Sequence, residues 1–117
     1  MGTSSLIGIR CADGAVIGCY VHYDGYPGNM MGSIKDYIES KTLTGLVLLI
    51  VRAQEKGGLR SLTRDEEPSL LNDDPCVVDE QAWEDNYFDV SYKYLVDYKT
   101  GHIEVYDKQS LWDGSHG

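Results

Sequence analysis

The sequence predicts an α+β domain: about four antiparallel strands in two hairpins, packed against two helices. Three observations lead there. Residues 5–11 and 15–23 are apolar runs on either side of Asp13-Gly14, a strong hairpin signal. Residues 90–98 and 102–106 alternate apolar or aromatic with polar positions around Lys99-Thr100-Gly101. Between the hairpins, residues 33–56 carry apolar side chains at helical spacing. A chain of 117 residues is one domain, 1–117, and can bury a core without disulfide or metal staples.

The elements follow in order. A two-residue turn at Asp13-Gly14 pairs residues whose numbers sum to 27. That register sets Ile7, Ile9, Val16, Tyr20 and His22 on one face and Arg10 and Tyr23 on the other, with Cys11 and Cys19 on opposite faces. Ser33 is an N-cap with Asp36 three residues on, and Ile34, Tyr37 and Ile38 form a helical stripe, so a helix is expected over 33–40. Thr44 caps a second helix with Leu46, Val47, Leu49, Ile50 and Ala53 inward, stopped by Gly57-Gly58. The block 46–51 also suits a buried strand, and the polar tail 52–56 favours helix. Residues 59–80 read as irregular, punctuated by Pro68 and Pro75, in an acidic stretch that extends to about 89. A short helical turn is expected around Trp83 over 81–87. In the second hairpin Tyr92, Tyr94, Val96 and Tyr98 share a face.

Charge narrows the functional classes. The net −9 is split unevenly: residues 1–64 carry +2 and include all four arginines, and residues 65–117 carry −11. The stretch 65–89 holds ten carboxylates and no Lys or Arg. Such acidity argues against direct binding to duplex nucleic acid. It is compatible with a solvated face, or with a surface that docks onto a basic protein through Asp65, Glu66, Glu67, Asp73 and Asp74. Three cysteines without C-x-x-C spacing indicate reduced thiols in a cytoplasmic setting. No signal peptide or membrane-length apolar run is evident, so no membrane association is expected. His22, His102 and His116 lack metal-ligand spacing, and the acidic runs lack the pattern of a calcium loop. No metal site and no cofactor are expected.

The chemistry-bearing stretch is His22-Tyr23-Asp24-Gly25-Tyr26-Pro27, followed by Gly32. A turn needs only Gly, Asn, Asp or Pro. The added imidazole, carboxylate and two phenols suit a loop shaped for a ligand. Asp24 is placed to orient His22 as an acid–histidine pair would, or to form an Asx turn ahead of Gly25. No nucleophile elbow or phosphate loop accompanies them, so no catalytic residue is assigned. A small hydrolase is the third-ranked reading.

Ile7-Gly8-Ile9, Asp13-Gly14 and Tyr20-Val21-His22-Tyr23-Asp24-Gly25-Tyr26-Pro27, with a glycine opening a helix, resemble a family of small phage and bacterial proteins. Its motif has the form Tyr-Cys-His-Trp/Phe-Asp-Gly-Tyr-Pro-x-x-x-Gly. The resemblance covers about residues 4–50. It departs from the motif at Val21, at Tyr23 and in the four residues between Pro27 and Gly32. It implies a phage accessory role in host takeover or counter-defence.

Two binding readings follow. In the first, His22, Tyr23, Asp24 and Tyr26, with Arg10, Arg52 and Arg60 nearby, hold a small anionic, nucleotide-like signalling ligand. Aromatic faces stack a base, arginines take phosphate, and a helix N-terminus near Gly32-Ser33 faces the anion. A homo-oligomer would help so short a chain enclose such a ligand. In the second, the acidic surface blocks a basic, nucleic-acid-binding host defence enzyme, an anti-CRISPR-like inhibitor.

Overall fold

The computed structural model describes residues 3–63, 67–76, 78–84 and 90–107. The expected hairpins both form: β1 (Ser5–Arg10) with β2 (Val16–Val21), and β5 (Tyr92–Asp97) with β6 (Ile103–Asp107). They do not make a four-stranded antiparallel sheet. β1 runs parallel to β5, and two short strands, β3 (Leu59–Ser61) and β4 (Ser69–Leu70), extend the β2 side. The result is a six-stranded mixed sheet in the order β4-β3-β2-β1-β5-β6. Residues 59–61 and 69–70, expected to be irregular, are therefore strand. The radius of gyration, 13.0 Å, matches the roughly 13 Å of one compact domain this long.

The first hairpin differs from expectation by one residue. Cys11 N donates to Ala15 O at 2.8 Å and Gly14 N to Cys11 O at 2.9 Å. The loop thus has three residues, Ala12-Asp13-Gly14, closed by Gly14 in the left-handed region at φ 91. Paired residues sum to 26, not 27: Ile7 faces Cys19 and Ile9 faces Ile17. A one-residue slip exchanges faces. Ile7, Ile9, Cys19 and Val21 enter the core beneath the long helix. Leu6 and Val16, with Tyr20 packed against them, belong to a second cluster on the other face. Strand alternation carries His22 to that second face, away from Ile7 and Ile9. Cys11 and Cys19 share a face after all, yet both are free thiols.

Helix α1 (Pro27–Glu55) starts six residues before the expected Ser33 cap. Proline at its first position has a pre-set φ and no N–H to waste. Gly28 and Gly32 are weak helix formers, so burial of Met30, Ser33 and Ile34 holds the first turns. Thr42, at φ 70 and ψ 169, is non-helical and divides α1 into two segments. Its Oγ1 accepts from Gly45 N at 3.2 Å, so Thr42 takes the capping role expected of Thr44. Tyr37 and Arg52 interact electrostatically. Met30 and Ile34 from the first segment and Leu46, Leu49, Ile50 and Ala53 from the second enter one core cluster, with the chain turning at Thr42 between them. The second segment is helical through Glu55 and buries Leu46, Leu49, Ile50 and Ala53.

Gly57 and Gly58 stop α1, and Gly58 N donates to Ala53 O at 2.7 Å. The last carbonyls of a helix lack intrahelical partners. Here Asp73 N reaches Lys56 O at 2.9 Å and Cys76 N reaches Gln54 O at 2.8 Å. Part of the acidic segment is thus the cover of a helix end. Beyond it, Val78 bridges to Gly18, and α2 (Glu80–Glu84) lays Trp83 on the face opposite α1. Gly8 and Gly18 pair in register and leave a notch for the indole: a Cβ on Gly8 would lie 2.7 Å from Trp83 Cζ3. Of the turn expected over 81–87, residues 85–87 lie outside the described residues. No helix among the described residues is long and apolar enough to cross a membrane.

Candidate functional site

The motif loop sits where β1 begins and β2 and β3 end. Three partners hold its backbone at Asp24 and Gly25, and two further bonds brace one of them. Gly25 N donates to Thr3 O at 2.7 Å, and buried Tyr94 donates its hydroxyl to Gly25 O. Asn29 Nδ2 donates to Asp24 O at 2.8 Å and to Leu62 O at 2.9 Å, and Ser33 Oγ donates to Asn29 Oδ1 at 3.2 Å. Burial pushes the Tyr94 phenol well above its ordinary range, with the neighbouring Tyr92 adding to the effect. That hydroxyl therefore stays protonated and able to donate. Asp24 adopts a left-handed backbone, φ 58, which Asp tolerates better than most residues.

Three aromatic rings meet at this corner. Tyr20 Oη lies 2.9 Å from His22 Nδ1. Tyr23 meets the imidazole edge-on, with ring centroids 4.3 Å apart. The expected His22–Asp24 pair is replaced by a His22–Tyr20 pair. Which atom donates follows the imidazole tautomer, and Nε2 is the ring nitrogen that Tyr20 does not engage. The Tyr20 hydroxyl also bonds the Ser4 side chain, and burial raises its pKa. Tyr23 and Tyr26 are 41% and 45% exposed, enough for a ring face to meet a ligand.

The arginines do not gather as expected. Arg60 does: its carbonyl accepts from Tyr23 N at 2.8 Å, its side chain is exposed, and strand alternation from buried Leu59 sets it on the face of Tyr20 and His22. Arg10 pairs with Val16, six residues of extended chain from His22, or about 20 Å. Arg52 lies on the second segment of α1, where its charge acts on Tyr37. The helix N-terminus is at Pro27, so the Gly32 and Ser33 N–H groups lie inside the helix and face no anion. Sequence reasoning missed Tyr20, Asn29 and Tyr94. Tyr20 was legible as the residue two before His22 on the same strand face. The other two act through long-range contacts.

In the acidic segment, Glu67, Asp73 and Asp74 are exposed, and Asp65 and Glu66 lie outside the described residues. Asp73 Oδ1 accepts from Asp74 N at 2.8 Å, a local turn bond. Among the described residues no three His, Cys, Asp or Glu side chains converge as a metal site would need. No protein-family model matches this chain, and no curated protein or solved structure does.

Proposed function

We propose that this protein works by holding a small anionic, nucleotide-like ligand at the motif loop, without transforming it. The observation that carries this reading is the pair of exposed Tyr23 and Tyr26 rings on a loop fixed by hydrogen bonds, with Arg60 joined to Tyr23 through its backbone and its side chain exposed. A preformed loop loses little conformational freedom on binding. Aromatic faces stack any base, and a guanidinium forks onto phosphate. His22, with Nδ1 engaged by Tyr20, keeps one further nitrogen for the ligand. On the phage resemblance, the biological role is counter-defence by sequestering a signalling nucleotide in the host cytoplasm, with a second copy of the chain helping to enclose it.

The test is native mass spectrometry and thermal shift with cyclic dinucleotides and ADP-ribose-type nucleotides. A ligand at a hundredfold excess over its Kd stabilises the fold by about 2.7 kcal/mol, or roughly 10 °C for a domain of this size. Arg60→Gln and Tyr23→Ala remove the shift, while Arg52→Gln keeps it. A shift of equal size in Arg60→Gln sinks the assignment. A second reading, an acidic inhibitor of a basic defence enzyme, is favoured by the exposure of Glu67, Asp73 and Asp74. It requires no nucleotide response, and a loss of inhibition when those carboxylates are neutralised.

A further inference from the structure

A cavity of about 280 Å³ opens on the second sheet face, reaching along the strands from the level of Arg10 and Val16 to that of Lys93 and Tyr106. Its walls are apolar at Val16 and Leu95 and aromatic at Trp83 and Tyr106, and its charged groups are Arg10, Lys93, Glu80 and Glu84. The two cations and two anions cancel, so the lining favours neither a multiply charged anion nor a cation. Lys93 is nearly fully buried; its ammonium donates to Trp83 O and stands 5.6 Å from the indole centroid. It belongs to the floor and is engaged by the protein. Arg10, Glu80 and Glu84 are exposed at the mouth.

Arg10 and the two glutamates share this cavity, yet among the described residues no ion pair joins them. Asp97, opposite Arg10 in the β1–β5 register, feels its charge but has its Oδ1 taken up by the backbone N–H groups of Lys99 and Thr100. Among the described residues, the one hydrogen bond from the Arg10 guanidinium, to Gly14 O, is long at 3.5 Å. The cavity therefore offers a forked cation and a pair of carboxylates one helical turn apart, with an apolar and aromatic wall between them. We infer that it binds a small zwitterion of the α-amino-acid type, its carboxylate on Arg10, its ammonium on Glu80 and Glu84, and an apolar body against Val16, Leu95 and Trp83. The size agrees: ligand pockets usually exceed roughly 300 Å³, so about 280 Å³ suits a single small metabolite better than a dinucleotide or a peptide. This site is independent of the motif loop and stands whether or not that loop binds a nucleotide.

Trp83 lines the cavity and supplies the readout. In a Trp112→Phe background it is the only tryptophan, since the chain has two. The full chain is titrated with L-leucine, with 4-methylpentanoate, which lacks the ammonium, and with 3-methylbutylamine, which lacks the carboxylate. L-leucine should give a saturable change in Trp83 fluorescence at millimolar concentration or below. Loss of one charged contact weakens binding about tenfold or more. Each analogue should therefore bind at least that much more weakly, as should L-leucine to Arg10→Gln and to Glu84→Gln. Both substituted residues are exposed, and near-UV circular dichroism checks that each variant is folded. The absence of a saturable response overturns the inference. So does an equal response to all three compounds, or an undiminished response in both variants.

Discussion

Gly8→Ala tests the packing that places Trp83. The glycine sits mid-strand in β1, opposite Gly18, with the indole above the pair. An added Cβ would lie 2.7 Å from Trp83 Cζ3, 3.1 Å from Cη2 and 3.2 Å from Ile17 O. Ordinary carbon contacts are about 3.5–4.0 Å, so the ring would have to move by roughly an ångström. Trp83 is 7% exposed and packs with Leu6, Val16, Val78, Val90 and Leu95, so it has little room. Overpacking of this kind costs about 1–3 kcal/mol. With an unfolding entropy of about 2.1 cal/mol/K per residue, each kcal/mol lowers the Tm of this chain by about 4 °C. Gly8→Ala should therefore melt about 4–12 °C below the parent by differential scanning calorimetry. It should also show an altered Trp83 fluorescence spectrum in the Trp112→Phe background. The diagnostic measurement is a double-mutant cycle with Trp83→Leu, which deletes the clashing ring atoms. There Gly8→Ala should cost little, because alanine otherwise suits a strand better than glycine. An equal penalty in both backgrounds would refute the reasoning.

Two further outcomes follow from the backbone and the turns. Thr42 holds φ 70 and ψ 169, a region costing about 1–3 kcal/mol for a residue with a side chain. Thr42→Gly gives up the hydroxyl cap for a few tenths of a kcal/mol, so it should raise the midpoint of urea unfolding, whereas Thr42→Val, which keeps the strain and loses the cap, should lower it. The backbone N–H groups of Lys99 and Thr100 hold the Asp97 carboxyl below its ordinary 3.8, with Lys99 and Arg10 assisting. A folded pKa below the unfolded one means that the stabilisation is present above 3.8 and is lost as pH falls through the folded value. Asp97→Asn should flatten the acid limb of the stability–pH curve in that window; an unchanged limb would show that the turn carries no such linkage.

Some of this architecture was legible in the sequence, and the limits have physical causes. Both hairpins were, because strand alternation and turn glycines are local signals. The helical nature of 46–55 was also, since the polar tail 52–56 continued the helical pattern. The parallel pairing of β1 with β5 was not, because it joins segments more than eighty residues apart through backbone bonds that leave no compositional trace. β3 and β4, at three and two residues, are too short for periodicity to register. The start of α1 at Pro27 was hidden by Gly28 and Gly32, whose poor propensity is overridden by burial of Met30 and Ile34. The motif loop was visible in its residue types, and Arg60 adjoins it through the bond from Tyr23 N to its carbonyl. Arg10 and Arg52 were grouped with it by position in the chain, which says nothing of which end of a sheet or which helix segment they occupy.

One residue in a turn accounts for the largest functional revision. Had Asp13-Gly14 closed a two-residue turn, His22 would share a face with Ile7 and Ile9, beneath α1, and would be a core histidine. The three-residue loop leaves Ile7 and Ile9 facing α1 but moves the even-numbered residues of β2 to the opposite face. That single shift brings Tyr20 and His22 onto the open corner beside Arg60, and sends Val16 to line the cavity with Arg10 at the other end. The small pair Gly8 and Gly18 then falls on that same face, where it admits Trp83. The motif loop and the cavity are consequently two products of one register. A variant with Ile17 deleted from within β2 would turn Cys19 and Val21 to the wrong face and Tyr20 into the core. It should fail to fold rather than lose one site selectively.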